Sequence, residues 1–237
     1  WNIGIMYKKG LGVKQNYLIA LQWLAEASNK GMKANFMKQL EDENVEINDG
    51  WKGTDFYTFI HAMSNMEATS PDFAAAVKEL TVLEKKNLPV ASTLLGRCYA
   101  NKTWKKANDK KMLAYYEKAA NAGEPYACYL LAQLHYTGSK AVKTDKNKVV
   151  ELYEKSAEGG YAPAMCELGD LYFAGKLVNK NVTKAIEYYN EALLNGYLTK
   201  SAATNLSFCY QQGHGGLKQN EKAANEILKR GKEGNLW

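Results

Sequence analysis

Three histidines and four cysteines are the side chains best suited to acid–base, metal or nucleophilic chemistry, and their settings do not favour it. His61 lies in the apolar run Phe59-Ile-His-Ala-Met63, where a structural ring is expected. His135 falls where related segments of the chain carry a tyrosine, so a packed core ring is expected there too. His214 lies in Gln212-Gly-His-Gly-Gly216, whose amides could hold an anion, although glycines are equally at home in an interhelical turn. Cys98, Cys128, Cys166 and Cys209 are 30, 38 and 43 residues apart and never form Cys-x-x-Cys, which gives no zinc or redox spacing. Buried free thiols are the favoured reading over a disulfide framework. No His-Glu-x-x-His, P-loop, Gly-x-Ser-x-Gly or Gly-x-Gly-x-x-Gly occurs. The acidic run Glu41, Asp42, Glu43, Glu46 and Asp49 has the wrong ligand spacing and glycine for a calcium loop, leaving a solvated loop or a partner-contacting insertion. The sequence therefore names no catalytic, cofactor-binding or metal-binding residue, and no enzyme activity or cofactor is expected.

Stepping outward to the elements that carry these residues, 237 residues with 46% hydrophobic and 24% charged side chains describe a folded chain rather than a disordered one. A net charge of +6 spread over scattered lysines reads as solvated helix faces, so no nucleic-acid partner is expected. No apolar stretch approaches the length of a membrane span, and no membrane insertion is expected. The chain opens at Trp1 with no initiator Met and no signal-peptide pattern, so any leader or upstream domain is expected to have been removed. Compartment and oligomeric state stay open: cytoplasm, periplasm or secretion after removal of a signal peptide, and a monomer, are all compatible.

The chain repeats itself. Ile3-Gly-Ile-Met-Tyr7, Leu95-Gly-Arg-Cys-Tyr99, Leu131-Ala-Gln-Leu-His135, Leu168-Gly-Asp-Leu-Tyr172 and Leu206-Ser-Phe-Cys-Tyr210 are copies of one motif. Its second position recurs at Gly96, Ala132, Gly169 and Ser207, at steps of 36, 37 and 38 residues. Each copy is followed by a second amphipathic segment: Ala20–Ala27, Met112–Ala119, Val149–Ser156 and Ala185–Ala192. Apolar residues recur three and four apart in both segments, which is helical periodicity. Gly31, Gly123, Gly160 and Gly196 trail the second segments, as a left-handed helix end requires. Gly4, Gly96, Ala132, Gly169 and Ser207 form a small-residue column that lets two helices approach closely. Tyr7, Tyr99, Tyr172 and Tyr210 form another column, expected between helices, where truncation leaves a cavity costing about 3–5 kcal/mol.

Leu-Gly-x-x-Tyr-x-x-Gly, a loop such as Gly10-Leu-Gly-Val13, Lys-Ala with an aromatic residue three positions on, and Ala-x-x-x-Gly together resemble the Sel-one-like repeat (SLR), a relative of the tetratricopeptide repeat. Gly10, Gly12, Val13, Ala20, Trp23, Ala27 and Gly31 fit the pattern best, and Gly175, Val178, Lys184, Ala185, Tyr188 and Gly196 nearly as well. The expected fold is all-α, a right-handed α/α superhelix, or solenoid, of about five to six helix-turn-helix repeats. One domain spans 1–237, with repeats near 1–31, 54–87 (degenerate), 89–123, 124–160, 161–196 and 197–234, and an acidic insertion at 32–53. In the degenerate unit, Thr54–Met66 and Asp72–Asn87 are the expected helices, with Ser70 as N-cap and Pro71 in the first turn. The first helix is expected to be truncated or to have its front half outside this sequence, and the last unit to be a cap or a cut edge. Departures are the loop at Lys102–Trp104, which lacks glycines, and extra residues in the loops at Gly138–Val142 and Gly213–Leu217. The β-lactamase-like pattern described for some SLR proteins is absent, since neither Ser-x-x-Lys nor Lys-Thr-Gly occurs. The cysteine-rich SLR branch pairs one cysteine per helix within a unit; these cysteines do not follow that arrangement.

Helical geometry turns Arg97, Gln133, Tyr136, Asp170, Phe173, Phe208 and Gln211 away from the buried columns, onto the concave face that first helices line in such arrays. Aromatic and arginine side chains there suit interface anchors, although a neighbouring unit could also cover them. The resemblance implies a protein–protein scaffold or adaptor that binds a partner protein through this face. One alternative it implies is an immunity or inhibitor protein occluding a toxin. A groove-binding enzyme or small-ligand receptor is the second alternative.

Overall fold

Asp55–Glu67 (α1), Phe73–Glu84 (α2), Pro89–Ala100 (α3), Asp109–Asn121 (α4), Pro125–Thr137 (α5), Lys146–Glu158 (α6), Ala162–Ala174 (α7), Val182–Leu194 (α8), Lys200–Gln212 (α9) and Glu221–Glu233 (α10) are the α-helices among the described residues of a computed structural model, which describes residues 55–139 and 141–233. A short 3-10 turn, His214–Gly216, precedes α10. No strand occurs among the described residues. The first repeat with Gly4, Tyr7, Gly10–Val13, Ala27 and Gly31, and the acidic insertion at 32–53, lie outside the described residues.

Local signals set the helix ends. Asn108, Glu124, Asp145, Asn181 and Thr199 accept hydrogen bonds from amides of the first turns of α4, α5, α6, α8 and α9. Pro89, Pro125 and Pro163 stand in the first turns of α3, α5 and α7, where no intrahelical donor is needed. In the degenerate pair the expected cap is corrected: Asp72 rather than Ser70 caps α2, its Oδ1 accepting from Ala74 N at 3.0 Å and Ala75 N at 2.9 Å. Pro71 therefore precedes the helix. Gly123, Gly160 and Gly196 have φ of +79°, +85° and +73°, the left-handed geometry expected after each second helix.

The described chain divides into two units. Residues up to Ala122 form the first, in which α1 pairs with α2, α2 with α3 and α3 with α4. Its core joins Phe59, Met63, Leu80, Leu83, Leu94 and Leu95, with Trp104 packed at the edge against Tyr99. The second unit begins at Gly123 and holds the pairs α5–α6, α7–α8 and α9–α10. Here α7 also packs on α6 and α9. The four thiols sit on first helices α3, α5, α7 and α9, buried and unbridged. Burial pushes Cys98 and Cys166 up to about 12 and Cys128 to about 11, so none is a ready nucleophile.

Two aromatic columns hold the pairs α3–α4 and α7–α8. A Cβ placed on Gly96 would collide with the ring of Tyr116, and one on Gly169 with the ring of Tyr189. The small-residue column thus seats the inner tyrosine of the second helix against the backbone of the first. Ala132 and buried Tyr153 hold the same positions in α5–α6. The deepest rings are therefore Tyr116, Tyr153 and Tyr189; of the column expected between helices, Tyr99 is buried at 9% exposed, whereas Tyr172 and Tyr210 are half-buried. The truncation cost expected of that column belongs to the inner rings. Its members stack outside them: Tyr99 on Tyr115 at 5.8 Å and 7°, Tyr172 on Tyr188 at 5.8 Å and 16°. Lys111 lies over Tyr99 and Lys184 over Tyr172.

Candidate functional site

His135 is not the core ring expected: it is half-buried at the end of α5, with Nδ1 3.3 Å from the Lys143 carbonyl oxygen. Its stacking partner is missing because the second helix carries Leu152 where α4 and α8 carry Tyr115 and Tyr188. His61 Nδ1 is 2.5 Å from Glu79 Oε1, and Asn65 Nδ2 donates to Glu79 Oε2, which ties α1 to α2. His214 lies in the exposed 3-10 turn, 5.4 Å from the Phe208 ring.

A cavity of about 360 Å³ opens in the second unit, lined from four helices. Tyr136 comes from α5, Tyr153 from α6, Glu167, Asp170 and Phe173 from α7, and Asn205 from α9. Glu167, Asp170 and Phe173 are three apart along α7 and share one face of it. Tyr136 is 48% exposed and Phe208 44% exposed, while Phe173 is half-buried and meets Phe208 edge-on at 6.4 Å.

Asp170 is held in place. Its Oδ1 accepts from Tyr189 Oη at 2.6 Å and from Asn205 Nδ2 at 2.9 Å, so one carboxylate fastens α7 to both α8 and α9. Behind the cavity, Tyr129 packs against Tyr153 at 5.7 Å and Tyr161 at 5.1 Å, and Gln133 Nε2 donates to Tyr129 Oη at 2.8 Å. Burial pushes the Tyr129 and Tyr153 hydroxyls well above the ordinary phenol range, with the Glu167 charge adding to it, so both stay neutral donors. Burial also raises the Glu167 carboxyl, and the charge of Asp170 raises it further. No imidazole or thiol lines the cavity.

Of the seven residues expected on the first-helix face, the structure brings Tyr136, Asp170 and Phe173 together at the cavity, and Phe208 joins them through Phe173. Gln133 turns toward Tyr129, Gln211 is exposed on α9, and Arg97 is half-buried on α3 of the other unit. Sequence reading missed Glu167, Tyr153 and Asn205. For Glu167 a signal existed: a carboxylate within the apolar run Ala164-Met-Cys-Glu-Leu168, one turn before Asp170.

No group of three or more His, Cys, Asp or Glu side chains able to hold a metal ion occurs among the described residues. No described helix is long and apolar enough to cross a membrane. The Sel1 repeat model matches residues 1–32, 89–124, 125–161, 162–197 and 200–235. The chain belongs to the Sel1 repeat family. No curated protein matches it. Among solved structures, a protective antigen of uropathogenic Escherichia coli with an SLR fold is similar at 25% identity and a TM-score of 0.65, over 98% of this chain and 52% of that one. The chain thus spans about half the length of that antigen. A Sel1 repeat protein from Oxalobacter formigenes is similar at 26% identity and a TM-score of 0.62, over all of this chain and 85% of that one. A Pseudomonas aeruginosa protein shares the fold at 22% identity and a TM-score of 0.53, over 77% and 69% of the two chains. Sel1 repeats form α-solenoids that generally mediate protein–protein interactions.

Proposed function

We propose that this Sel1 repeat protein is a non-catalytic scaffold that binds a partner protein through the first-helix face of its second unit. The observation that carries the reading is Tyr136 and Phe208, two large apolar side chains about half in solvent, flanking a cavity whose wall includes Phe173. Aromatic side chains beside a pocket are the residues that most often dominate the binding energy of an interface. The cavity lining supplies carboxylates and phenols but no nucleophile paired with a base, which favours recognition over catalysis.

The test is capture of partners from the source organism with the full chain and with a Tyr136→Ala, Phe173→Ala, Phe208→Ala variant whose helical content and melting are shown to be intact. Loss of the same bound protein from the variant is expected. Equal recovery by both chains overturns the reading.

A further inference from the structure

Glu167 is the unexplained group of the cavity. Among the described residues no hydrogen bond or ion pair reaches its carboxylate, although it is half-buried and lines the cavity wall. Asp170, one turn along the same face, is only half committed: among the described residues both of its hydrogen bonds end on Oδ1 and none reaches Oδ2. Two partly desolvated carboxylates without a cation are costly unless something completes them. Lys176 sits at the same cavity, exposed, and pairs with neither.

We propose that the cavity takes the guanidinium of an arginine presented by the partner protein, with Glu167 and Asp170 Oδ2 as its acceptors and the rings of Tyr136 and Phe173 beside its planar faces. This rests on the partner-binding reading of the same face and names the chemistry of what enters it. Arginine fits better than lysine for geometric reasons. Its fork of donors matches two acceptors on successive turns, and its flat, weakly hydrated cation packs on aromatic rings where an ammonium prefers water. The net charge of the whole chain is +6, so attraction for a cation here comes from the local pair of carboxylates and not from the overall field. Burial, and then the charge of Asp170, penalise the charged form of Glu167; a cation between the two groups reverses that penalty.

The experiment is a titration of the isotopically labelled full chain with acetyl-Gly-Arg-Gly-amide, followed by NMR, beside the same peptide with citrulline, the neutral isostere of arginine. Saturable shifts at Tyr136, Glu167 and Phe173 from the arginine peptide alone are expected, weakened roughly tenfold by Glu167→Gln. Asp170→Asn keeps the Oδ1 acceptor for Tyr189 and Asn205 and removes the charge, so it checks the result if the first variant is poorly folded. Absence of saturable shifts, equal shifts from citrulline, or unchanged affinity in both folded variants overturns the proposal. The two readings fail separately. A captured partner lost by the Tyr136/Phe173/Phe208 variant but kept by Glu167→Gln and Asp170→Asn removes the arginine slot and leaves the face. A partner kept by every variant removes the face.

Discussion

In the pairs α3–α4 and α7–α8 an outer tyrosine lies flat on a second tyrosine with a lysine above it: Tyr99, Tyr115 and Lys111 in one, Tyr172, Tyr188 and Lys184 in the other. In α5–α6 the same three positions hold His135, Leu152 and Lys148, and no such stack forms. All three pairs nevertheless close, because the inner contact persists: Tyr116, Tyr153 and Tyr189 are each 4% exposed or less. The inner ring against a small residue makes the hairpin, and the outer stack is an addition. Where the addition is missing, Tyr136 next to His135 stands in solvent beside the cavity.

The largest test of that contrast is at the inner ring. Tyr189→Ala should cost about 3–5 kcal/mol in urea unfolding, and Tyr153→Ala a similar amount. Tyr172→Ala, removing a half-buried outer ring, should cost clearly less; equal losses would erase the distinction between the columns. Next comes the surface on which the inner ring rests. Gly169→Ala should destabilise by about 1–3 kcal/mol because the added methyl meets the Tyr189 ring, which Asp170 keeps from moving away. In α5 the outcome reverses: Ala132 already tolerates a Cβ, so Ala132→Gly should lose about 1 kcal/mol, mostly of helix propensity. A stabilised Gly169→Ala chain would refute the seating described here.

How much of this was legible beforehand follows from what helical periodicity can encode. The repeat, its glycine ends and the small-residue column all lie within one or two turns of sequence, and Gly96, Gly169, Gly160 and Gly196 are where that reading placed them. Relations between helices were not legible. The regular outer column suggests deep rings, and Tyr99 is one; Tyr172 and Tyr210 are not, because the ring of the partner helix that faces the small-residue column takes the deepest place. His135 follows the same rule, since only the pairing with Leu152 leaves its ring nothing to stack on. Ser70 and Asp72 are both good caps, and only the structure shows which carboxylate or hydroxyl reaches the first amides. The cavity draws on Tyr136, Tyr153, Glu167 and Asn205 from four helices, a juxtaposition that no single helix wheel displays.

Smaller effects refine the contrast. Lys184→Met should cost about 0.5–1 kcal/mol through loss of its place over Tyr172, whereas Lys148→Met, at the unstacked position, should cost nothing measurable in the same urea series. The smallest effect is a pH signature at Glu167. Its carboxyl is raised in the folded chain, by burial first, so the native state binds a proton more tightly than the unfolded one. Stability from this group therefore falls as pH rises from the unfolded value, about 4.3, through the raised folded value. Glu167→Gln should accordingly stabilise the chain slightly at neutral pH, with the gain vanishing below about pH 4. A variant that gains stability while losing arginine is the mark of a residue kept for recognition.

Two seams between helix pairs in the second unit are built alike. Gly160 is followed by Tyr161, whose amide donates to Ser156 O at 3.0 Å; Gly196 is followed by Tyr197, whose amide donates to Ala192 O at 3.0 Å. Excising residues 161–196 would splice Gly160 onto Tyr197 and recreate the same Gly-Tyr joint with the same closing bond. A gene that drops or copies such a cassette edits the carboxylates and aromatic side chains on display without rewriting any splice point. The matching joints thus make a whole cassette, and not only a single side chain, a unit of change for the displayed face.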